Sequence, residues 1–192
     1  MSRRHRAIFL DRDGTLILDV GYPRDPRQVQ LLPGVLDGLT ALRDAGFLLV
    51  MISNQSGVGR GLISEHEMAQ VHARVTKLFA GHGITFAGAY YCPHAPTESC
   101  TCRKPQPGLL QTAAQALQID LSRSFMVGDK PSDVMAGWHA GCRSALLAGE
   151  KSVAQPGELA PGVPDITAPD LWAASQWILN VSAEESRCTA NT

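Results

Sequence analysis

An α/β fold, a doubly wound and mostly parallel sheet in one domain, is what the sequence predicts, and three observations predict it. Five short apolar runs rich in Leu, Ile, Val and Phe do not alternate with polar residues, helical patterns separate them, and polar residues gather where the runs end. Strands covered on both faces read as continuous apolar stretches, and such strands belong to parallel sheets. Strict alternation of strand and helix then calls for right-handed crossovers. The chain, 192 residues long, is large enough for one core: a body of roughly 150 residues removes about 70% of its unfolded surface from water without disulfide staples.

The elements follow in order. Ala7–Leu10 is the first run, and it ends in Asp11-Arg12-Asp13-Gly14-Thr15. Pro33 opens a helix in which Val35, Leu36, Leu39 and Leu42 recur at helical spacing, with Gly46 where a C-cap glycine belongs. The second run, Phe47–Ile52, passes into Ser53-Asn54-Gln55-Ser56. A capping box from Ser64 to Glu67 starts the second helix, which ends near Gly81 and Gly83. The third run, Phe86–Tyr91, leads into a loop over residues 92–104. A helix over Pro107–Gln118 follows, with Leu109, Leu110, Ala113, Ala114 and Leu117 on one face.

The fourth run, Phe125–Val127, gives way to Gly128-Asp129-Lys130-Pro131-Ser132-Asp133 and a short helix, Ser132–Ala140, closed by Gly141. After the fifth run, Ser144–Leu147, the stretch Gly149–Pro169 is rich in Pro and Gly and reads as a surface loop before a last helix at Leu171–Asn180. This places one domain over residues 1–180 and a disordered tail over 181–192.

With 17 basic and 18 acidic residues the formal net charge is −1, which supplies no broad field for nucleic acid or an anionic membrane surface. Any anionic ligand is held locally. Ser2-Arg3-Arg4-His5-Arg6 has the charge of a signal-peptide start, but the apolar stretch behind it is cut short by Asp11-Arg12-Asp13, which indicates a cytoplasmic protein. Five cysteines are an odd number, and Cys92, Cys100 and Cys102 crowd beside His94. That grouping suits a metal and a reducing compartment better than a disulfide framework.

Asp11 and Asp13 place two carboxylates one residue apart where a buried strand runs out. Taken alone, such a pair is more often a solvated turn. The other strand ends change the balance: they carry Ser53, Arg103-Lys104 and Asp129 to Asp133, and a doubly wound sheet binds its ligands beyond the carboxyl ends of its strands. Converging carboxylates repel unless a cation lies between them, and Mg²⁺ is the hard ion that carboxylates, carbonyls, waters and phosphate oxygens satisfy. Cys92, His94, Cys100 and Cys102 match a closed tetrahedral zinc site with no open position, so this zinc is structural and stiffens the loop that aims Arg103 and Lys104. Gly57, Gly59 and Gly61 lack the spacing of a dinucleotide loop.

Asp11-x-Asp13-Gly14-Thr15, Ser53, Lys104 and Gly128-Asp129-x-x-x-Asp133, in that order, resemble the four motifs of the haloacid dehalogenase superfamily of phosphohydrolases over roughly residues 7–148. The resemblance implies attack by Asp11 on a phosphate monoester and hydrolysis of the resulting aspartyl-phosphate. It implies Mg²⁺ on Asp11, Asp129 and the Asp13 carbonyl, with Ser53 and Lys104 steadying phosphoryl oxygens. Asp13 acts as acid and then base, and Asp133 accepts hydrogen bonds from Lys104 or metal-bound water.

The zinc loop, Asn54-Gln55-Ser56-Gly57 and the lack of a large cap insertion resemble a narrower group, which contains D-glycero-D-manno-heptose 1,7-bisphosphate 7-phosphatases and histidinol-phosphate phosphatases. Ser53–Gly61 and Tyr90–His94 look closer to the heptose enzymes, whereas the five residues between His94 and Cys100 look closer to the histidinol group. By the same resemblance, substrate contacts fall on Asp19, Val20, Gly21, Tyr22, Ser53, Asn54, Gln55, Ser56, Arg103, Lys104 and Lys130. A sugar bisphosphate gives Arg103 a second phosphate to grip with its guanidinium fork. Arg60 either meets a phosphate or lies in solvent. A monomer is expected, and a non-catalytic zinc module is disfavoured by the intact Asp11, Asp13, Lys104 and Asp129.

Overall fold

Strand β1 (Ala7–Leu10) is buried at every position, because its alternate residues enter two separate cores. Ile8 and Leu10 join one cluster and Ala7 and Phe9 the other, as expected of a strand covered on both faces. The computed structural model describes residues 4–148 and 162–190. Its sheet has six strands in the order β3-β2-β1-β4-β5-β6, formed by β2 (Leu48–Asn54), β3 (Gly88–Cys92), β4 (Phe125–Gly128), β5 (Arg143–Leu147) and β6 (Ile166–Ala168). Every neighbouring pair is parallel, with Ile8 beside both Leu49 and Phe125.

Helices α1 (Val35–Asp44), α3 (Glu65–Ala80) and α6 (Leu171–Ala190) contribute Leu39, Leu42, Val71, Val75, Phe79, Ala174 and Ile178 to the first core. Helices α4 (Gly108–Ala116) and α5 (Pro131–Ala140) contribute Leu109, Leu110, Ala113 and Ala136 to the second. The capping box starts α3 as read: Ser64 N donates to Glu67 Oε2 at 2.7 Å and Glu67 N donates to Ser64 Oγ at 3.1 Å. Since β1 has β2 on one side and β4 on the other, the chain departs in opposite directions around it. The crevice for ligands opens at such a reversal.

Four elements differ from the sequence reading. The third strand starts at Gly88, because Phe86 packs edge-on against Phe79 at 5.3 Å instead of entering the ladder. A short helix α2 (Ser56–Gly59) stands where glycines gave no helical signal. Within the stretch read as a surface loop, Ile166–Ala168 adds the sixth strand beside β5; residues 149–161 of that stretch lie outside the described residues. The tail expected to be disordered after Val181 continues α6 to Ala190, and so corrects the boundary at 180. Its docking explains the extension: Ser182 is buried and Arg143 pairs with Glu185. Among the described residues no helix is long and apolar enough to cross a membrane.

Candidate active site

Asp11 follows the last residue of β1, and its backbone N donates to Val127 O at 3.0 Å. The residue therefore stands at the carboxyl end of β1, with β2 on one side and β4 on the other. Gly14 then turns the chain at φ +87°, and a Cβ there would collide with the Asp129 carboxylate. Only glycine meets both demands.

Lys104 reaches the same place from the loop after β3. Asn54, the last residue of β2, clasps its backbone twice: Asn54 Nδ2 donates to Lys104 O at 3.0 Å and Lys104 N donates to Asn54 Oδ1 at 3.0 Å. The buried ammonium lies 2.7 Å from Asp11 Oδ1 and 2.6 Å from Asp133 Oδ1, and it donates to Ile52 O at 2.9 Å. Burial by itself would lower the Lys104 pKa, but the charges and hydrogen bonds of Asp11 and Asp133 outweigh it and raise it above the ordinary value. Lys104 is a fixed cation.

Carboxylate oxygens of Asp11, Asp129 and Asp133 lie within 4.8 Å of one another. Burial, opposed by Lys130 and reinforced by Asp11 and Asp133, pushes the Asp129 carboxyl up to about 6. Such crowding is what a divalent cation relieves, and an octahedral ion with bonds of about 2.1 Å spaces its ligands by roughly 3 to 4 Å. The residues thus fit Mg²⁺. Asp13 does not aim its carboxylate there. It accepts from Arg12 Nε at 3.0 Å and from Gln55 Nε2 at 2.8 Å, which leaves its backbone carbonyl as its means of joining such an ion.

Beyond these groups opens a crevice of about 570 Å³, lined by Asp13, Asp19, Gly21, Tyr22, Asn54, Gln55, Ser56, Arg103, Lys104 and Lys130 among others. Most of the residues expected to meet substrate therefore converge. Two do not line it: Val20 is turned out to solvent, and Ser53 is buried with its Oγ accepting from Gln55 Nε2 at 2.7 Å. The segment Asp19–Tyr22 is tied to both walls, by Lys130 Nζ to Asp19 Oδ2 at 3.1 Å and by Arg60 Nη1 donating to Tyr22 Oη at 2.7 Å. Of the two places expected of it, phosphate or solvent, Arg60 takes the second: it is exposed, and it also donates to Tyr22. Arg103 lines the crevice, and its Nη1 is buried with no hydrogen-bond partner among the described residues, an uncommon state for a buried donor.

Arg12 is a buried neighbour of the site that the sequence reading did not single out. It is 2% exposed and grips Asp13. Its position between two aspartates at the end of a buried strand was the available signal.

The second cluster forms as its residues suggested. Cys92 Sγ lies 3.7 Å from Cys100 Sγ and 3.4 Å from His94 Nδ1, and His94 Nδ1 lies 3.2 Å from Cys102 Sγ. A tetrahedral ion with Zn–S bonds of about 2.3 Å separates thiolates by about 3.8 Å and a nitrogen from a sulfur by about 3.5 Å. The set fits zinc. Burial, followed by the neighbouring thiols, pushes Cys92 up to about 12, a resistance to ionisation that a bound cation would reverse.

Comparison with known proteins agrees with this geometry. Residues 101–174 match the family model described as "HAD-hyrolase-like". The chain is 43% identical over 148 residues to the D-glycero-beta-D-manno-heptose-1,7-bisphosphate 7-phosphatase of Pasteurella multocida (strain Pm70), covering 74% of this chain and 80% of that protein. It is 36% identical over 191 residues to the protein of the same name from Escherichia coli (strain K12), covering 96% and 93%. Among solved structures, the D,D-heptose 1,7-bisphosphate phosphatase from B. bronchiseptica complexed with magnesium and phosphate superposes with a TM-score of 0.79 at 33% identity, covering 91% of this chain and 98% of that one. A putative HAD-like phosphatase from Mesorhizobium loti gives 0.78 at 33%, covering 92% and 88%.

Proposed function

Because the chain belongs to the haloacid dehalogenase superfamily of phosphatases, within the group of heptose bisphosphate phosphatases, we propose that it removes the 7-phosphate of D-glycero-D-manno-heptose 1,7-bisphosphate. The observation that carries this reading is the setting of Asp11, paired at 2.7 Å with a buried lysine beneath a crevice lined by Arg103 and Lys130. Asp11 attacks phosphorus as the ester P–O bond breaks, and Asp13 passes its proton to the departing sugar oxygen. Water then attacks the same phosphorus, Asp13 recovers a proton from it, and the bond to Asp11 breaks.

Lys104 and the Ser53 hydroxyl steady phosphoryl oxygens, while Asp133, 2.6 Å from Lys104 Nζ, helps to hold that lysine in place. Asp11, Asp129 and the Asp13 carbonyl would hold Mg²⁺, which when bound supplies the charge that lets two anions meet. Arg103 and Lys130 take the second phosphate, a task that a monophosphate such as histidinol phosphate does not set. Names of relatives and neighbours point the same way, and they outweigh the short His94–Cys100 spacing. A monomer in the cytoplasm, where Cys92, Cys100 and Cys102 stay reduced, accords with a small-molecule substrate.

The test is kcat/KM for the heptose bisphosphate against histidinol phosphate under one set of conditions. Preference for the bisphosphate is expected, and preference for histidinol phosphate would remove the substrate assignment.

Cys92, His94, Cys100 and Cys102 would hold zinc, which when bound would fix the shape of the loop and take no part in the chemistry. Lys104 keeps anchors of its own in Asn54, Asp11 and Asp133, so loss of zinc is felt at Arg103. Selective removal with a zinc chelator in excess Mg²⁺ is expected to raise KM for the bisphosphate by about 10-fold or more, the cost of misplacing one charged hydrogen bond. kcat falls much less. Steady-state kinetics with hydrogen exchange over residues 92–104 measures both effects, and an unprotected loop with unchanged KM would refute this role.

A further inference from the structure

Arg12 sets a problem of charge. A guanidinium only 2% exposed is costly unless it is paired and bonded, and the mechanism above gives it nothing to do. It approaches Asp13 from behind, from a recess shared with Met68, His72 and Tyr90, while Asp13 and Gln55 face the crevice. The two oxygens of Asp13 are treated differently. Oδ2 receives Arg12 Nε at 3.0 Å and Gln55 Nε2 at 2.8 Å, and lies 2.9 Å from Arg12 Nη2. Among the described residues, Oδ1 accepts only from Arg12 Nη2, at 3.2 Å. Two hydrogen bonds, from Arg12 Nε and Gln55 Nε2, take up the accepting capacity of Oδ2, with Arg12 Nη2 close beside it, whereas Oδ1 accepts one and retains room for a proton.

We propose that Arg12 and Gln55 are the positioning residues of Asp13, holding its Oδ2 so that Oδ1 is the oxygen that gives up and recovers the proton. This rests on the acid–base reading of Asp13 above. The proton leaves Oδ1 for the sugar oxygen as the ester P–O bond breaks, and a proton returns to Oδ1 from the attacking water as the bond from phosphorus to Asp11 breaks. The supports are themselves held. Arg12 O accepts from Leu16 N at 2.9 Å and Ile17 N at 3.1 Å, and Gln55 Nε2 also donates to Ser53 Oγ at 2.7 Å. The same amide thus ties the proton carrier to the hydroxyl assigned to the phosphoryl group, and the two move together or not at all.

The experiment compares two esters on the full chain with Mg²⁺: the sugar bisphosphate, whose alkoxide needs a proton to depart, and p-nitrophenyl phosphate, whose phenolate does not. As the control, Asp13→Asn is expected to lower kcat/KM for the sugar ester by about 10² to 10⁴-fold, the range for a lost general acid, and for the aryl ester far less. Arg12→Met and Gln55→Met are expected to show the same ester dependence, with about a 10-fold or greater loss on the sugar ester from misplacement of the acid. Arg12→Lys recovers part of the loss, and Arg12→Met loses nothing further in an Asp13→Asn background.

Should Arg12→Met fail to fold, Arg12→Lys and Gln55→Met carry the comparison. Equal losses on both esters in these variants, with Asp13→Asn still selective, would overturn the positioning role alone. If Asp13→Asn itself lowers both esters equally, the acid–base reading falls and this inference goes with it.

Discussion

Asp11→Asn eliminates turnover and leaves the fold standing. The amide has no charge to bring to phosphorus, so no phosphorylated enzyme forms, and kcat is expected to fall by about 10⁴-fold or more, as for other enzymes stripped of their nucleophile. The fold survives because the Asn oxygen still accepts from Lys104 Nζ, which lies 2.7 Å from Asp11 Oδ1 in the parent. Phosphate release and the thermal unfolding midpoint, measured side by side, test both halves. Release at the parent rate would end the covalent mechanism. A collapsed midpoint would mean that Asp11 is needed for folding as well as for chemistry.

Lys104→Met has the second large effect, and it falls on stability as well as on activity. Among the described residues the ammonium is the one cation placed between Asp11 and Asp133, and all three side chains are at least nine-tenths buried. Removing it strands two carboxylates in a place that water hardly reaches, a loss that costs about 3–5 kcal/mol when one partner of a buried pair is deleted. Methionine fills a similar volume, so little of the loss is a cavity. Urea unfolding in the presence of a chelator reads the cost directly. Adding Mg²⁺ is expected to restore part of it, since an ion bound only by the folded protein stabilises it by mass action. Unchanged stability without Mg²⁺ would show that the carboxylates are not charged as described.

What could be read from the sequence was whatever depended on neighbours along the chain. Ala7–Leu10 was legible because a strand buried on both faces is apolar throughout, and the Ser64 box because its partners are three residues apart. Cys92, His94, Cys100 and Cys102 were legible because the end of β3 and the loop after it carry all four. Ile166–Ala168 was not, since three residues carry no period and become a strand only through the open edge of β5. Nor was the continuation of α6 past Val181: what holds it, Arg143 on β5 against Glu185, is a contact between distant parts of the chain. The same distinction divides the site. Asp11, Asp13 and Lys104 announce themselves by type and position, but which way Asp13 turns is settled by Gln55, 42 positions away. Phe86 left its strand for the ring of Phe79, a choice made by the core and invisible to local pattern.

The central place of β1 has a bearing on biosynthesis. The strand that leads into Asp11 is synthesised well before β4, one of its two neighbours, with which it pairs through Ile8 and Phe125. A nascent chain halted before β4 carries a half-covered β1 and lacks Asp129 and Asp133, so it can neither close both sides of that strand nor gather its acidic cluster. Competence therefore waits for β4 and the residues that follow it.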